Sequence, residues 1–160
     1  MEAITYNPIG VIRSPFKELE GMPIQPSGAI GAPGTVELDP EFAAGLKDLS
    51  GFSHIILVYH FHQSAGYALE VKPCLDTQLR GVFATRAPKR PNSIGLSIVR
   101  LVRVEGSTLY VEDMDILDGT PLLDVKPYIP EVDTRSAERI GWLSEKVQQI
   151  PQARADKRSW

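Results

Sequence analysis

Apolar residues occur in short alternating or continuous runs along most of the chain, and this pattern predicts strands rather than helices. The run "SHIILVYHFH" (53–62) is the clearest buried strand. "SIGLSIVRLVRVEG" (93–106) alternates, and a Gly-Ser turn separates it from "TLYVEDMDIL" (108–117), so the two segments predict a hairpin. Shorter strands are expected within 3–16, 35–38, 67–73, 81–85 and 121–130.

Helical patterns occur at only two places. Asp39 and Pro40 begin a short helix, "PEFAAGLKDL", because Asp accepts the free amides of a first turn and Pro tolerates that turn. A second helix is expected before Pro151, where apolar residues recur at helical spacing: Ile140, Leu143, Val147 and Ile150. The residues after it, 152–160, are expected to be a frayed end. Many short strands with few helices predict a mainly β sandwich or barrel with helical additions.

Size and composition favour one compact intracellular domain. The chain has 160 residues, of which 42% are hydrophobic. No apolar stretch approaches the roughly 18 residues of a membrane helix, and the N-terminus lacks a signal-peptide profile. The single cysteine, Cys74, excludes an internal disulfide and fits a reducing compartment. We therefore expect a cytoplasmic protein.

Positive charge is concentrated in one part of an acidic chain. The net charge is −3, yet residues 77–104 contain six cations and no acidic residue. This distribution favours one defined anionic partner over indiscriminate binding to polyanions. Within "ATRAPKRPN" (84–92), prolines stiffen the backbone, Arg86 offers a planar fork for a carboxylate or phosphate, and Asn92 can contact a base edge. This loop predicts an anion-binding site.

Other candidate groups have weaker support. His54, His60 and His62 share one parity on the predicted strand, but His54 lies roughly 20 Å from His60, so the three cannot bind one metal ion. No base neighbours Cys74 in sequence, which argues against a nucleophilic thiol. "EDMDILDGTP" (112–121) contains three aspartates, and either a plain turn or a ligand-binding turn explains it. The Pro- and Gly-rich loop 17–34 is long enough to form a lid or a wall of a site.

Four segments in order resemble the TsaA-like (TrmO) family of β-barrel methyltransferases over residues 4–133: "IGVIRSPF" (9–16), "GFSHIILVYHFHQ" (51–63), "GVFATRAPKRPNSIGLS" (81–97) and "DILDGTPLLDVKPYIP" (115–130). The resemblance implies a small closed β-barrel with a short inserted helix in domain 1–133, followed by a C-terminal helix and tail in 134–160. It also implies a homodimer that uses S-adenosylmethionine. No metal is expected, because the three histidines are too far apart to share an ion. The expected reaction is methylation of N6 of threonylcarbamoyladenosine at tRNA position 37.

Site residues follow from the matched motifs. The resemblance assigns eleven residues to the cofactor: Pro23, Ile24, Gln25, His62, Gln63, Arg86, Leu96, Asp115, Ile116, Leu117 and Asp118. It assigns four to the tRNA: Lys89, Arg90, Asn92 and Tyr128. The poorly nucleophilic acceptor nitrogen must lose a proton, and Asp118, Asp115 or His62 can accept it. One departure is that Ile24 stands where the family often has an arginine.

Two other functions remain open. The first is an S-adenosylmethionine-binding barrel that senses the cofactor or methylates a small molecule, which Ile24 and the short C-terminal region favour. The second is a metal-dependent hydrolase built on His60 and His62, which would contain stoichiometric zinc; we expect no zinc.

Overall fold

Six antiparallel strands close into a barrel in the computed structural model, which describes residues 1–156. The described residues contain eight strands, six in the barrel and two outside it. In chain order they are β1 (Gly10–Arg13), β2 (Gly34–Leu38), β3 (His54–His60), β4 (Glu70–Val71), β5 (Arg80–Gly81), β6 (Ile94–Glu105), β7 (Thr108–Glu112) and β8 (Thr120–Pro127). The barrel order is β1-β2-β7-β6-β3-β8, and β4 pairs with β5 outside it. The predicted mainly β fold with a small closed barrel is confirmed.

The alternating pattern of β6 determines which residues fill the barrel. Its burial alternates along the strand, with Ser97 and Val99 pointing inward and Leu96 and Ile98 pointing outward. Side chains from the other strands complete the interior, and each buried aliphatic side chain contributes about 1.5–3 kcal/mol. The strand residues with no exposed surface are Ile12, Val36, Ile55, Leu57, Val99, Leu109 and Leu122.

Gly95 allows an aromatic ring to pack against the backbone inside the barrel. Gly95 is paired with Tyr59 of β3, and a Cβ atom at Gly95 would overlap the Tyr59 ring. The ring also packs edge-on against Phe61, with centroids 5.4 Å apart. The glycine of the "RPNSIG" motif is therefore required by packing between β3 and β6.

The turns and the first helix follow the sequence expectations closely. Gly106 has a φ of 59° in the turn between β6 and β7, which confirms the predicted hairpin. Asp39 accepts a hydrogen bond from the Glu41 amide at 3.2 Å and caps the helix Pro40–Leu46, which is a 3-10 helix. One α-helical turn, Pro130–Asp133, follows β8.

Three expectations about local structure are wrong. The segment 81–85 is not a strand, because β5 ends at Gly81 and the 3-10 helix Val82–Ala84 follows. The predicted C-terminal helix is replaced by the 3-10 helices Gly141–Leu143 and Val147–Gln152, the second of which contains Pro151. Residues 153–156 are not frayed, since Ala155 is buried and hydrogen-bonded to Met22. The rest of the predicted frayed end, 157–160, lies outside the described residues.

Three connections of the barrel lie at the same end. The antiparallel register pairs Arg13 with Thr35, His60 with Ile94, and Tyr59 with Leu122. The connections 14–33, 61–93 and 113–119 therefore leave the barrel together, and we call this the loop end. The opposite end has the short β6–β7 turn. None of the helices in residues 1–156 has the length and apolarity that a membrane crossing requires.

Candidate functional site

The loop end contains ten of the eleven residues that the motifs assign to the cofactor. The connection 14–33 carries three of them, 61–93 carries three, and 113–119 carries four. The remaining one, Leu96, is the third residue of β6 and points outward with 56% of its surface exposed. Segments that are far apart in sequence are therefore adjacent here because of the barrel topology.

Arg86 joins the first two loops of this end. Its Nη1 donates to the Gln25 Oε1 at 2.9 Å, and the arginine remains exposed to solvent. Thr85, beside it, closes the preceding 3-10 turn by donating from Oγ1 to the Val82 carbonyl at 2.7 Å. The hydroxyl of Thr85 also accepts from the Ala87 amide at 3.2 Å. The cation is thus presented by a loop with an ordered backbone.

Asp115 is a buried carboxylate at the mouth of the barrel. Its residue is 8% exposed, and its Oδ1 is fully buried without a hydrogen-bond partner. Burial raises the pKa of Asp115 from 3.8 to about 7, although a hydrogen bond from Ser97 and the nearby charge of Arg86 act in the opposite direction. Arg86 and Asp115 therefore share one electrostatic environment.

A hydroxyl chain inside the barrel holds Asp115. The Tyr59 hydroxyl and the Ser97 Oγ lie 2.9 Å apart, and both residues are buried. Ser97 also bonds the Asp115 carboxyl, so the two hydroxyls and the carboxyl form one connected chain in which either hydroxyl can donate. Burial raises the pKa of Tyr59 far above its ordinary value, and the Asp115 charge raises it further, so Tyr59 stays protonated.

Asp118 is held in an ion-pair cluster on the β1 side of the loop end. Its carboxylate accepts from the Ser14 amide at 3.0 Å and lies 3.0 Å from the Lys17 Nζ and 4.0 Å from the Arg13 Nη1. Partial burial raises its pKa, but the Ser14 amide, Lys17 and Arg13 outweigh this and hold the pKa of Asp118 below its usual range. Asp118 is therefore a weaker base than Asp115, and it orders the start of the first loop.

A second apolar cluster connects the first loop to the aspartate-rich turn. Met22, Leu117 and Ala155 are buried together, and Ile24 packs against them. This contact explains the departure at Ile24, because an arginine in that position would lose the apolar packing. The Ile116 side chain belongs instead to the barrel core, so only its backbone can face a ligand.

The histidines do not have the arrangement expected from strand parity. β3 ends at His60, so His62 lies in the loop 61–93 and the parity argument does not apply to it. Partial burial and the neighbouring His60 lower the pKa of His62, which favours its neutral form. Gln63 follows it and is exposed. Within residues 1–156, no group of three His, Cys, Asp or Glu side chains could hold a metal ion.

The four residues assigned to the tRNA are not equivalent. Asn92 is exposed and Lys89 is half-buried. Arg90 instead stabilises its own loop, since its Nη1 donates to the carbonyls of Thr85 at 2.7 Å and Ala87 at 3.2 Å. Tyr128 lies at the opposite end of the barrel, where it packs against His54 and bonds Thr134.

Several site residues were not found from the sequence. Lys17 lies outside the matched segments, and Tyr59 and Ser97 lie within them without being assigned a role. A polar residue at an inward position of an alternating strand, such as Ser97, is the one available indication. Two grooves described within residues 1–156, one beside Cys74 and one beside Arg13, contain neither Arg86 nor Asp115.

The fold and this site define a class: a closed antiparallel barrel whose candidate polar site residues lie in loops at one end. Residues 11–134 match the family described as tRNA-methyltransferase O N-terminal domain, TrmO_N. The chain belongs to this family. The predicted fold and family are confirmed.

Relatives and solved structures support the same family. A Pyrococcus abyssi protein named "Probable S-adenosyl-L-methionine-binding protein" is 57% identical over 97% of this chain and 84% of its own length. The human "tRNA (adenine(37)-N6)-methyltransferase" is 37% identical over 79% of this chain and 30% of its own length. The crystal structure of TrmO from Pseudomonas aeruginosa superposes with a TM-score of 0.74 at 42% identity, covering 88% of this chain and 63% of that one. The expected cofactor is thus confirmed for the family.

Proposed function

We propose that this protein binds S-adenosylmethionine at the loop end and transfers its methyl group to N6 of threonylcarbamoyladenosine at tRNA position 37. The observation that carries the proposal is the adjacency of Arg86, Gln25 and the buried Asp115, which come from three separate loops. The human relative is named for the same position of tRNA. Because a tRNA substrate is processed where it is made or used, the proposal includes the expected cytoplasmic location.

The residues of the loop end fit the chemical groups of this cofactor. Arg86 is exposed and can bind the carboxylate of the methionine part through two parallel hydrogen bonds. Asp115 provides a buried acceptor oxygen without a partner, which suits a hydroxyl or amine donor. Leu96 offers exposed apolar surface that an adenine ring can cover. Pro23, His62, Gln63 and Leu117 complete the proposed cofactor site.

When bound, the cofactor supplies an electrophilic methyl group on a sulfonium ion. The chain then has to place the acceptor nitrogen in line with that carbon and accept its proton. Asp115 is the best candidate for the proton, because a base with a pKa near the working pH is efficient and that of Asp115 is about 7. Ser97 and Tyr59 orient it. Lys89 and Asn92 are the residues proposed to contact the anticodon loop.

Calorimetry and nucleoside analysis test this proposal. We expect the protein to bind S-adenosylmethionine and Arg86→Ala to weaken that binding by about tenfold or more, since a charge-assisted bidentate contact is worth about 1.5–3 kcal/mol. Arg103→Ala is the matched control, because Arg103 pairs with Glu105 near the opposite end of β6. Absence of binding by the wild type would refute the proposal. Mass spectrometry of position-37 nucleosides should show methylation that depends on the protein.

A second function keeps the cofactor but changes the acceptor. Ile24 packs into an apolar cluster, so the first loop lacks a basic contact for tRNA at this position. A protein that senses S-adenosylmethionine or methylates a small molecule is consistent with this feature. Incorporation of labelled methyl groups into a metabolite extract, with none into tRNA from cells lacking the protein, would favour the second function.

We also propose that two copies associate. The outward positions Ile94, Leu96 and Ile98 of β6 are apolar and exposed, next to the proposed cofactor site, and a second subunit could cover them. Light scattering should give the mass of a dimer. Ile98→Lys should shift the protein toward the monomer, whereas Val102→Lys, further along the same strand, should not.

A further inference from the structure

The residues after the family match connect both cofactor loops. The match ends at residue 134, and the segment 141–156, which we call the C-terminal strap, runs back to the loop end. We propose that this strap is a positioning element. It binds to both loops, 14–33 and 61–93, holds them in place relative to each other, and thereby sets the affinity for the cofactor. The inference rests on the proposed cofactor site, although its structural part can be tested without a ligand.

The first attachment is to the loop that carries Arg86. Asp76 is buried, and its carboxylate lies 2.8 Å from the Lys146 Nζ of the strap and 2.7 Å from the Arg80 Nε. Lys146 and Arg80 both contribute to holding the pKa of Asp76 well below its usual range, against the effect of desolvation. A buried carboxylate with cations from two segments fixes those segments relative to each other.

Trp142 strengthens this attachment close to the proposed ligand contact. Its indole Nε1 donates to the Ala84 carbonyl at 2.8 Å, and the Arg80 guanidinium lies 5.5 Å from the ring centroid. Ala84 is two residues before Arg86. The backbone that presents Arg86 is therefore bonded directly to the strap.

The second attachment is to the loop that carries Gln25. The Gly21 amide donates to the Ala155 carbonyl at 2.8 Å, and the Ala155 amide donates to the Met22 carbonyl at 2.7 Å. Arg154 and Pro23 form the matching antiparallel bridge. Ala155 is also buried in the apolar cluster with Met22 and Leu117. The strap thus adds a short β-type pairing to the segment that leads into Gln25.

These two attachments explain how the loops keep a defined distance. The Arg86–Gln25 hydrogen bond crosses between the loops, and both partners belong to long connections with little secondary structure of their own. Such connections need an external support to stay ordered. If loosening the strap left the two loops correctly placed only a tenth of the time, the apparent dissociation constant of the cofactor would rise about tenfold.

Point variants in the full-length protein test this role. Lys146→Met removes the cation from the buried Asp76, and Trp142→Phe keeps an aromatic ring but removes the hydrogen bond to Ala84. Lys126→Met is the matched control, because Lys126 forms an exposed ion pair of 2.8 Å with Asp124 within β8. Lys146→Arg should restore the attachment. Calorimetry gives the dissociation constant of S-adenosylmethionine, and hydrogen exchange without ligand gives the order of each loop.

We expect Lys146→Met and Trp142→Phe to raise the dissociation constant about tenfold, and Lys126→Met and Lys146→Arg to change it less than about threefold. Exchange should become faster in peptides from 14–33 and 80–92, while peptides from β3 and β6 keep their protection. Wild-type affinity in both strap variants would overturn the inference. Faster exchange throughout the barrel would overturn it as well, since the strap would then only support global stability. If the wild type binds no cofactor, the proposed function fails, and unchanged loop exchange would separately refute the strap.

Discussion

Replacement of Asp115 by Asn should change how the stability of the protein depends on pH. The Asp115 carboxyl is buried at the mouth of the barrel, where burial raises its pKa from 3.8 to about 7. Asn has the same shape and resembles the protonated acid, and its amide can still bond Ser97. The substitution therefore removes the ionisation of this side chain while preserving most of its packing.

The sign and size of the effect follow from linkage. Between pH 3.8 and about 7, the folded protein holds a proton on Asp115 that the unfolded chain has released, so wild-type stability falls as the pH rises through this range. Above about pH 7 the loss is complete. One pKa unit corresponds to about 1.4 kcal/mol, so the 1.5 units between pH 5.5 and 7 give about 2 kcal/mol. Asp115→Asn should gain this amount relative to the wild type between pH 5.5 and 8.5.

Urea unfolding of both proteins at pH 5.5 and 8.5, without cofactor, measures this difference. Other groups that titrate in this range cancel when the variant is compared with the wild type at each pH. Asp124→Asn serves as the control, because Asp124 lies on the barrel surface beside Lys126, and its effect should be the same at both pH values. If the free-energy difference between Asp115→Asn and wild type changes by less than about 0.5 kcal/mol between the two pH values, burial does not raise the pKa of Asp115.

Three further predictions concern packing and charge. Gly95→Ala should lower the free energy of unfolding by about 1–3 kcal/mol, measured by urea unfolding, because the added methyl group overlaps the Tyr59 ring; an unchanged midpoint would contradict the packing. Ile24→Arg should lower the thermal midpoint, because the substitution removes the apolar packing of Ile24 against the Met22 cluster; a raised midpoint would contradict this. Asp76→Asn should destabilise the protein at pH 7, and the difference from wild type should shrink below about pH 4, because the depressed pKa stabilises only above the unfolded value. Melting curves from pH 7 to pH 3 measure this, and a difference in thermal midpoint between Asp76→Asn and wild type that stays constant over this range would refute the prediction.

The barrel strands could be predicted because the hydrophobic pattern within each segment is enough to identify it as a strand. Alternation along β6 and the continuous apolar run of β3 each specify an extended segment with a buried face. The failures lie where tertiary contacts decide the backbone. The apolar spacing before Pro151 fits a helix, but Ile140 and Val147 are 45% and 37% exposed, so no continuous apolar face is buried and the segment forms short 3-10 turns instead.

The candidate site was predictable as a set of residues but not as a set of roles. The motifs could not distinguish Asp115 from Asp118, which are three residues apart, because one is buried beside Ser97 and the other pairs with Lys17. Both differences depend on segments distant in sequence, the strand β6 for Ser97 and the loop 14–33 for Lys17. Tyr128 illustrates the opposite case, since it belongs to the matched segment 115–130 and yet lies just beyond the far end of β8.

The residues of the candidate site come from two kinds of structural element, barrel strands and loops, and we expect the two groups to have different roles. Ser97 and Tyr59 lie on rigid barrel strands and hold Asp115, whereas Arg86 and Gln25 lie on loops that depend on the C-terminal strap. Changes in the barrel wall should therefore act on proton transfer, while changes in the loops should act on cofactor binding. Ser97→Ala should lower kcat and shift its pH profile with little change in cofactor affinity, and Gln25→Ala should weaken affinity and leave the pH profile unchanged. Parallel effects of the two variants on both quantities would mean that the loops and the barrel wall act as one unit.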